Sequence, residues 1–94
     1  MGILATWNTL TAVQVASIPK QEGVYELANF SRSTIYIGRS DDLNRRLQGS
    51  LNTSDPCRRR ATHFRYELTS QSEQRERELL EEYFQQHERY PPCN

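Results

Sequence analysis

Two short apolar runs, each carrying a tyrosine and a glycine, constrain this chain more than any other feature. Gly23-Val24-Tyr25 opens one run, Tyr36-Ile37-Gly38 closes the next, and Asn29 to Ser33 between them are turn residues. β-Branched and aromatic residues bounded by such a turn make a β-hairpin, with strands from Gly23 to about Ala28 and from Thr34 to Gly38. Hydrogen-bonded neighbours lie about 5 Å apart in a sheet, so two tyrosines on adjacent strands can share one small site.

The rest of the chain follows from periodicity. Asn8 or Thr9 can cap a short helix over Leu10 to Ala16, which Ile18-Pro19 ends. Ser40 stands at a helix N-cap position, with Asp41 and Asp42 in the first turn and Leu43 and Leu47 four apart on one edge; this helix ends near Gly49. Residues 50–61 hold Pro56 and three consecutive arginines without periodicity and read as a loop. Thr62 to Leu68 alternates, with Phe64, Tyr66 and Leu68 on one face, and makes a third strand. Ser70-Gln71-Ser72-Glu73 is a capping-box pattern, and the helix it introduces runs to about Glu88 with Leu79, Leu80, Tyr83 and Phe84 on one stripe. Pro91 and Pro92 end in an extended tail.

These elements predict an α/β sandwich: a three-stranded antiparallel sheet with helices packed on one face through Leu43, Leu47, Leu79, Leu80, Tyr83 and Phe84, the other face left open for chemistry. Ninety-four residues suit a single domain. No run approaches the roughly 18 apolar residues of a membrane span, and the N-terminus lacks a signal pattern, so a cytoplasmic protein is expected. Cys57 and Cys93 are far apart, and free thiols are expected of them. A zinc site from Cys57, His63, His87 and Cys93 would need wider spacings than metal ligands usually show.

The formal net charge of zero conceals an asymmetry. Residues 32 to 65 carry eight arginines against three aspartates, whereas residues 67 to 94 carry seven glutamates against three arginines. Arginine favours forked contacts to phosphate oxygens, and counterion release makes such contacts favourable. Pairing of the two halves on a solvated surface accounts for the same charges equally well.

The two triplets, with the basic stretch that follows them, resemble the GIY-YIG nuclease superfamily, and small GIY-YIG domains such as the incision domain of bacterial excision nucleases above all. The resemblance covers about residues 20–94 of one domain spanning 1–94. It implies a divalent-metal-dependent endonuclease hydrolysing DNA, structured or branched targets included, with specificity supplied by a separate protein partner. Tyr25 and Tyr36 match the two family tyrosines, and Arg46 the arginine of the following helix. A phenol titrates near 10 unless perturbed, and neighbouring guanidiniums favour its ionised form. Arg39 matches a position that is often basic and would contact phosphate, with Arg58, Arg59 and Arg60 and with Arg32 along the backbone. The family's metal-binding glutamate has apolar residues three and four positions later. Glu76 has Leu79 and Leu80 there, whereas Glu73, Glu78 and Glu82 have only polar ones. Glu76 would thus hold magnesium or manganese, ions that take few protein oxygens. Asn94 matches a closing asparagine that positions the site. Ser50 stands where many members have histidine or tyrosine, and His63 is a candidate substitute. The alternatives are an inactive module of this fold that binds nucleic acid or a protein, and a small redox or zinc protein built on the cysteines.

Overall fold

The structure is a computed structural model and describes residues 2–94. Four strands form one antiparallel sheet in the order β1-β4-β2-β3, where β1 is Asn8–Thr9, β2 Gly23–Ala28, β3 Thr34–Ser40 and β4 His63–Leu68. The hairpin and the third expected strand are present, and β1 adds a fourth by pairing Asn8 with Phe64 and Thr9 with His63. The residues expected to cap the first helix therefore belong to the sheet. That helix, α1, begins later, at Ala12–Ala16, and Thr11 caps it by accepting from the Gln14 N–H.

The helices lie on both faces of the sheet, not on one. Alternation along β2 aims Tyr25 and Leu27 at one face and Val24 and Glu26 at the other. On the first face Tyr25, Leu27, Ile35 and Phe64 pack with Val15 and Ile18 and with Leu43 and Leu47 of α2 (Leu43–Leu51). On the second, Val24 and Ile37 pack with Ile3 and with Leu79 of α3 (Ser72–His87). Every residue of β2 is buried as a result, which is how a central strand covered on both sides reads in sequence. Leu80 and Tyr83 join the second layer, but Phe84 is exposed and meets the Tyr90 ring at a tilt, with centroids 5.0 Å apart.

Both glycines of the two triplets are required by close approach. A Cβ at Gly23 would lie 2.3 Å from the Glu67 carbonyl oxygen, and one at Gly38 would lie 2.8 Å from Cζ and Oη of Tyr25. The only charge buried within β2, Glu26, accepts from Nε of Arg65, whose guanidinium also lies 4.1 Å from the centre of the Trp7 ring.

Helix caps differ from expectation in an informative way. Asp42, not Ser40, caps α2 by accepting from the Arg45 N–H, while the Ser40 hydroxyl accepts from the Asp42 N–H. The helix runs past Gly49 to Leu51. No capping box forms at α3: its first residue, Ser72, donates its N–H to Glu22, fifty residues earlier in the chain. Within the arginine loop, Arg58–Arg60 make one turn of 3-10 helix.

Cys57 and Cys93 form a disulfide, with Cα atoms 5.6 Å apart, so the expectation of free thiols is overturned. Sequence separation hid this, because the proximity arises only when the tail lies along β3, where the Cys93 N–H donates to the Ile35 carbonyl. The bond also takes both sulfurs from the zinc alternative, and among the described residues no cluster of three or more potential ligands is present. Disulfides are rare in reducing compartments, so the cysteines give the cytoplasmic expectation no support. Among the described residues no helix is long and apolar enough to cross a membrane.

Candidate active site at the sheet edge

Strand β3 is an edge, and the two helical layers meet across it. Tyr36 on one face of β3 and Arg39 on the other, Arg46 from α2, and Glu73, Glu76 and Arg77 from α3 line one cavity of about 480 Å³. Residues carried on opposite faces of the sheet can converge here because no further strand separates them. The open face that was expected does not exist, because both faces of the sheet are covered, and this cavity lies at the rim instead.

Tyr25 lies behind this cavity rather than in it. Its ring is fully buried, 5.9 Å from that of Tyr36, and Gly38 leaves the space its phenol occupies. Among the described residues no group meets the Tyr25 hydroxyl in good hydrogen-bond geometry, and the Tyr36 phenol is the polar side chain beside it. Burial, then the neighbouring Tyr36 phenol, push its pKa far above the ordinary tyrosine value, overriding the opposing influence of Arg46 and Arg58. At Tyr25, desolvation thus wins over the arginines that were expected to favour a phenolate at one of the two tyrosines. Tyr36 is the phenol on the cavity wall, and the Arg58 guanidinium lies 5.3 Å from its ring centre.

Glu76 is half-buried, and its pKa is raised, first by desolvation and then by the like charge of Glu73, with Arg39 opposing. A carboxylate whose negative charge is disfavoured in this way is one that a cation would stabilise. Glu76, with Glu73 one turn earlier, suits magnesium or manganese, which take one or two carboxylates and keep several waters. Arg46 and Arg77 are exposed and make no ion pair among the described residues. Arg39 is held instead: Nε donates to the Ser72 hydroxyl at 2.7 Å and Nη2 to Asp41 at 2.6 Å.

The remaining expected residues divide. Arg58 reaches the Tyr36 ring while donating to Asp55. Arg59 lines a separate recess with Leu10, Ser50 and Leu51, and Arg60 turns back to the Cys57 carbonyl. Arg32 sits at the hairpin turn and lines another cavity, with Gln86 and His87. The Asn94 amide accepts from the Ile37 N–H at 2.9 Å and donates to the Ile37 carbonyl at 2.8 Å, so it clasps the edge strand. Ser50 bonds back to the Arg46 carbonyl, and His63 contacts Thr62 at the far end of β4. Glu73, set aside as a metal ligand in the sequence reading, and Arg77, not named there as a site residue, both line the cavity, since positions 73, 76, 77 and 80 share one stripe of a helix.

The model of a family described as a domain of unknown function, DUF7508, matches residues 1–86. The chain belongs to that family. The DUF7508 chain also shares its fold with solved structures of the GIY-YIG N-terminal endonuclease domain of UvrC from Thermotoga maritima. The form bound to its catalytic divalent cation, magnesium, has 22% identity and a TM-score of 0.62, with 87% of this chain and 92% of that chain covered. A point mutant of the same domain bound to its catalytic divalent cation gives 22% identity, a TM-score of 0.62, and 87% and 91% coverage. No curated protein sequence matches the DUF7508 chain. Its fold is therefore GIY-YIG-like, an α/β fold with an antiparallel sheet of four strands.

Proposed function

We propose that the chain is a divalent-metal-dependent endonuclease that hydrolyses phosphodiester bonds in DNA. The observation that carries this reading is the convergence of Tyr36, Arg39, Arg46 and Glu76 from three elements on one cavity. A phosphate entering there meets guanidiniums on both walls, and a neutral site without them could not hold the charge of the crowded phosphorane. Arg46 and Arg39 bind the non-bridging oxygens and fix the phosphorus for in-line attack. Tyr36 accepts a hydrogen bond from the attacking water and orients it, and the water's proton passes to solvent as its oxygen bonds to phosphorus and the bond to the leaving oxygen breaks. The leaving oxygen is protonated by solvent. Tyr25 stays neutral and supports the Tyr36 ring from below. Glu76, with Glu73, would hold a divalent ion, which would supply Lewis-acid polarisation of the phosphoryl oxygens.

Purified protein with magnesium or manganese should nick supercoiled plasmid. Glu76→Ala and Arg46→Ala should each lower cutting by about 100-fold or more, the size expected for a lost transition-state contact, while DNA binding is largely kept. Equal cutting by wild type and both variants refutes the assignment. Ser50 favours a second reading, a module of this fold that binds nucleic acid without cutting it, because its hydroxyl faces back to the Arg46 carbonyl and leaves no aromatic or imidazole group there. Salt-sensitive binding with no metal-dependent cleavage of linear or branched substrates would establish that reading instead.

A further inference from the structure

The Arg39 guanidinium is held by a chain of groups outside the cavity. Its Nε donates to Oγ of Ser72, and that hydroxyl donates in turn to Oε2 of Glu22 at 2.6 Å. The same carboxylate oxygen accepts the Ser72 N–H at 3.3 Å. Ser72 is fully buried. Its hydroxyl has one proton, given to Glu22, and so presents a lone pair to Arg39 alone. From these contacts we infer that Glu22 and Ser72 are positioning residues for Arg39, and that they aim its outer N–H groups at a phosphate in the cavity beside Glu76.

The serine keeps the carboxylate of Glu22 from pairing directly with Arg39. A carboxylate bonded directly to Arg39 would satisfy the guanidinium in a forked pair and leave a phosphate to compete with it. An interposed hydroxyl fixes Nε while the negative charge stays one group removed. Of the five N–H donors of an arginine, one goes to Ser72 and one to Asp41, so three remain for substrate. The Asp41 side chain is 83% exposed, and exposed pairs of this kind contribute little, so phosphate displaces it readily. Ser72 also begins α3, one turn before Glu76, which ties the position of Arg39 on β3 to the helix bearing the carboxylate.

This inference rests on the nuclease reading for the identity of the phosphate, and its test separates the two. Binding of a labelled DNA duplex to the full chain is measured over a salt series without divalent metal, together with exchange of the Arg39 Nε proton by NMR. Arg39→Ala should weaken binding roughly tenfold and reduce the salt slope by about one. Ser72→Ala and Glu22→Ala should each lose about three- to tenfold, and neither should weaken binding further in the Arg39→Ala background, because residues acting through one group are not additive. Glu22→Gln keeps an oxygen acceptor for the Ser72 hydroxyl and should recover most of the loss. The Arg39 Nε proton should be protected in wild type and Glu22→Gln and exchange faster in Ser72→Ala. Additive losses, or a Nε proton indifferent to Ser72→Ala, overturn the positioning role. Wild type that binds no nucleic acid overturns the nuclease reading and the phosphate with it, whereas the Nε proton still decides whether Ser72 holds Arg39.

Discussion

Replacing Tyr25 by phenylalanine should make the protein more stable. The phenol is fully buried and, among the described residues, its hydroxyl has no partner in good hydrogen-bond geometry, though the Tyr36 phenol is close enough to act on it, so folding strips water from a polar group and returns little. Mutational data place that penalty at about 1–3 kcal/mol. Phenylalanine removes it but leaves a void of one oxygen beside Gly38, which takes back part of the gain. A net increase of about 1 kcal/mol follows, or roughly 4–8 °C in Tm for a chain of this size. Urea unfolding of both proteins with the disulfide intact measures it, and an unchanged m-value shows that the native state, not the denatured one, has changed. The pH dependence gives a second handle with a definite sign. Because burial raises the Tyr25 pKa, the unfolded chain ionises first, so this group leaves stability independent of pH below the unfolded value near 10 and lowers it as pH rises above that value. Tyr25→Phe should remove that alkaline component. A variant less stable than wild type, with the same alkaline loss, would show that the hydroxyl is partnered and that the geometry at Gly38 is wrong. If plasmid nicking falls while stability rises, an unsatisfied group retained in the core is explained by function.

Three further outcomes are expected. The Cys57–Cys93 bond closes a loop with a sequence separation of 36, so Cys57→Ser with Cys93→Ser should cost about 4 kcal/mol in the chain-entropy account; a urea midpoint unaffected by reductant would refute the bond. Gly38→Ala places a Cβ 2.8 Å from Tyr25 and should destabilise by roughly 1–3 kcal/mol, whereas Gly49→Ala in α2, with open space around it, should stabilise by about 0.5–1 kcal/mol; thermal melts of the pair should shift in opposite directions. The Cys57 N–H and then Arg58 hold Asp55 below the usual carboxylate range. Its bonds should therefore persist above that range and be lost only as pH falls through the lowered value, as faster hydrogen exchange at the Cys57 amide would report.

How much the sequence disclosed depends on the distance over which each interaction acts. The hairpin, the third strand and the long helix were legible because alternation and the 3.6-residue period are written in neighbouring residues. Strand β1 was not, since two residues carry no period and its partners are Phe64 and His63. Stripes such as Leu43 with Leu47 and Leu79 with Leu80 show that a helix packs, but not on which side of the sheet. The side could have been read from β2, where Val24 and Tyr25 point oppositely and both need cover. The capping box over Ser70 to Glu73 yielded to Glu22, a carboxylate brought in by tertiary structure. Of the candidate site residues, Tyr36, Arg39, Arg46 and Glu76 line one cavity, whereas Arg59, Arg60 and Asn94 have other engagements. For those three, composition showed that charge or an amide was present, and only the folded backbone decided where it points.

Placing the cavity on the rim of the sheet makes it a composite of two separately built halves. A chain that has closed only the layer with α2 offers Arg46 without Glu76, and one that has closed only the layer with α3 offers the reverse. On the proposed nuclease reading neither half-built species could attack a nucleic acid, so cutting would begin only when the last layer has docked.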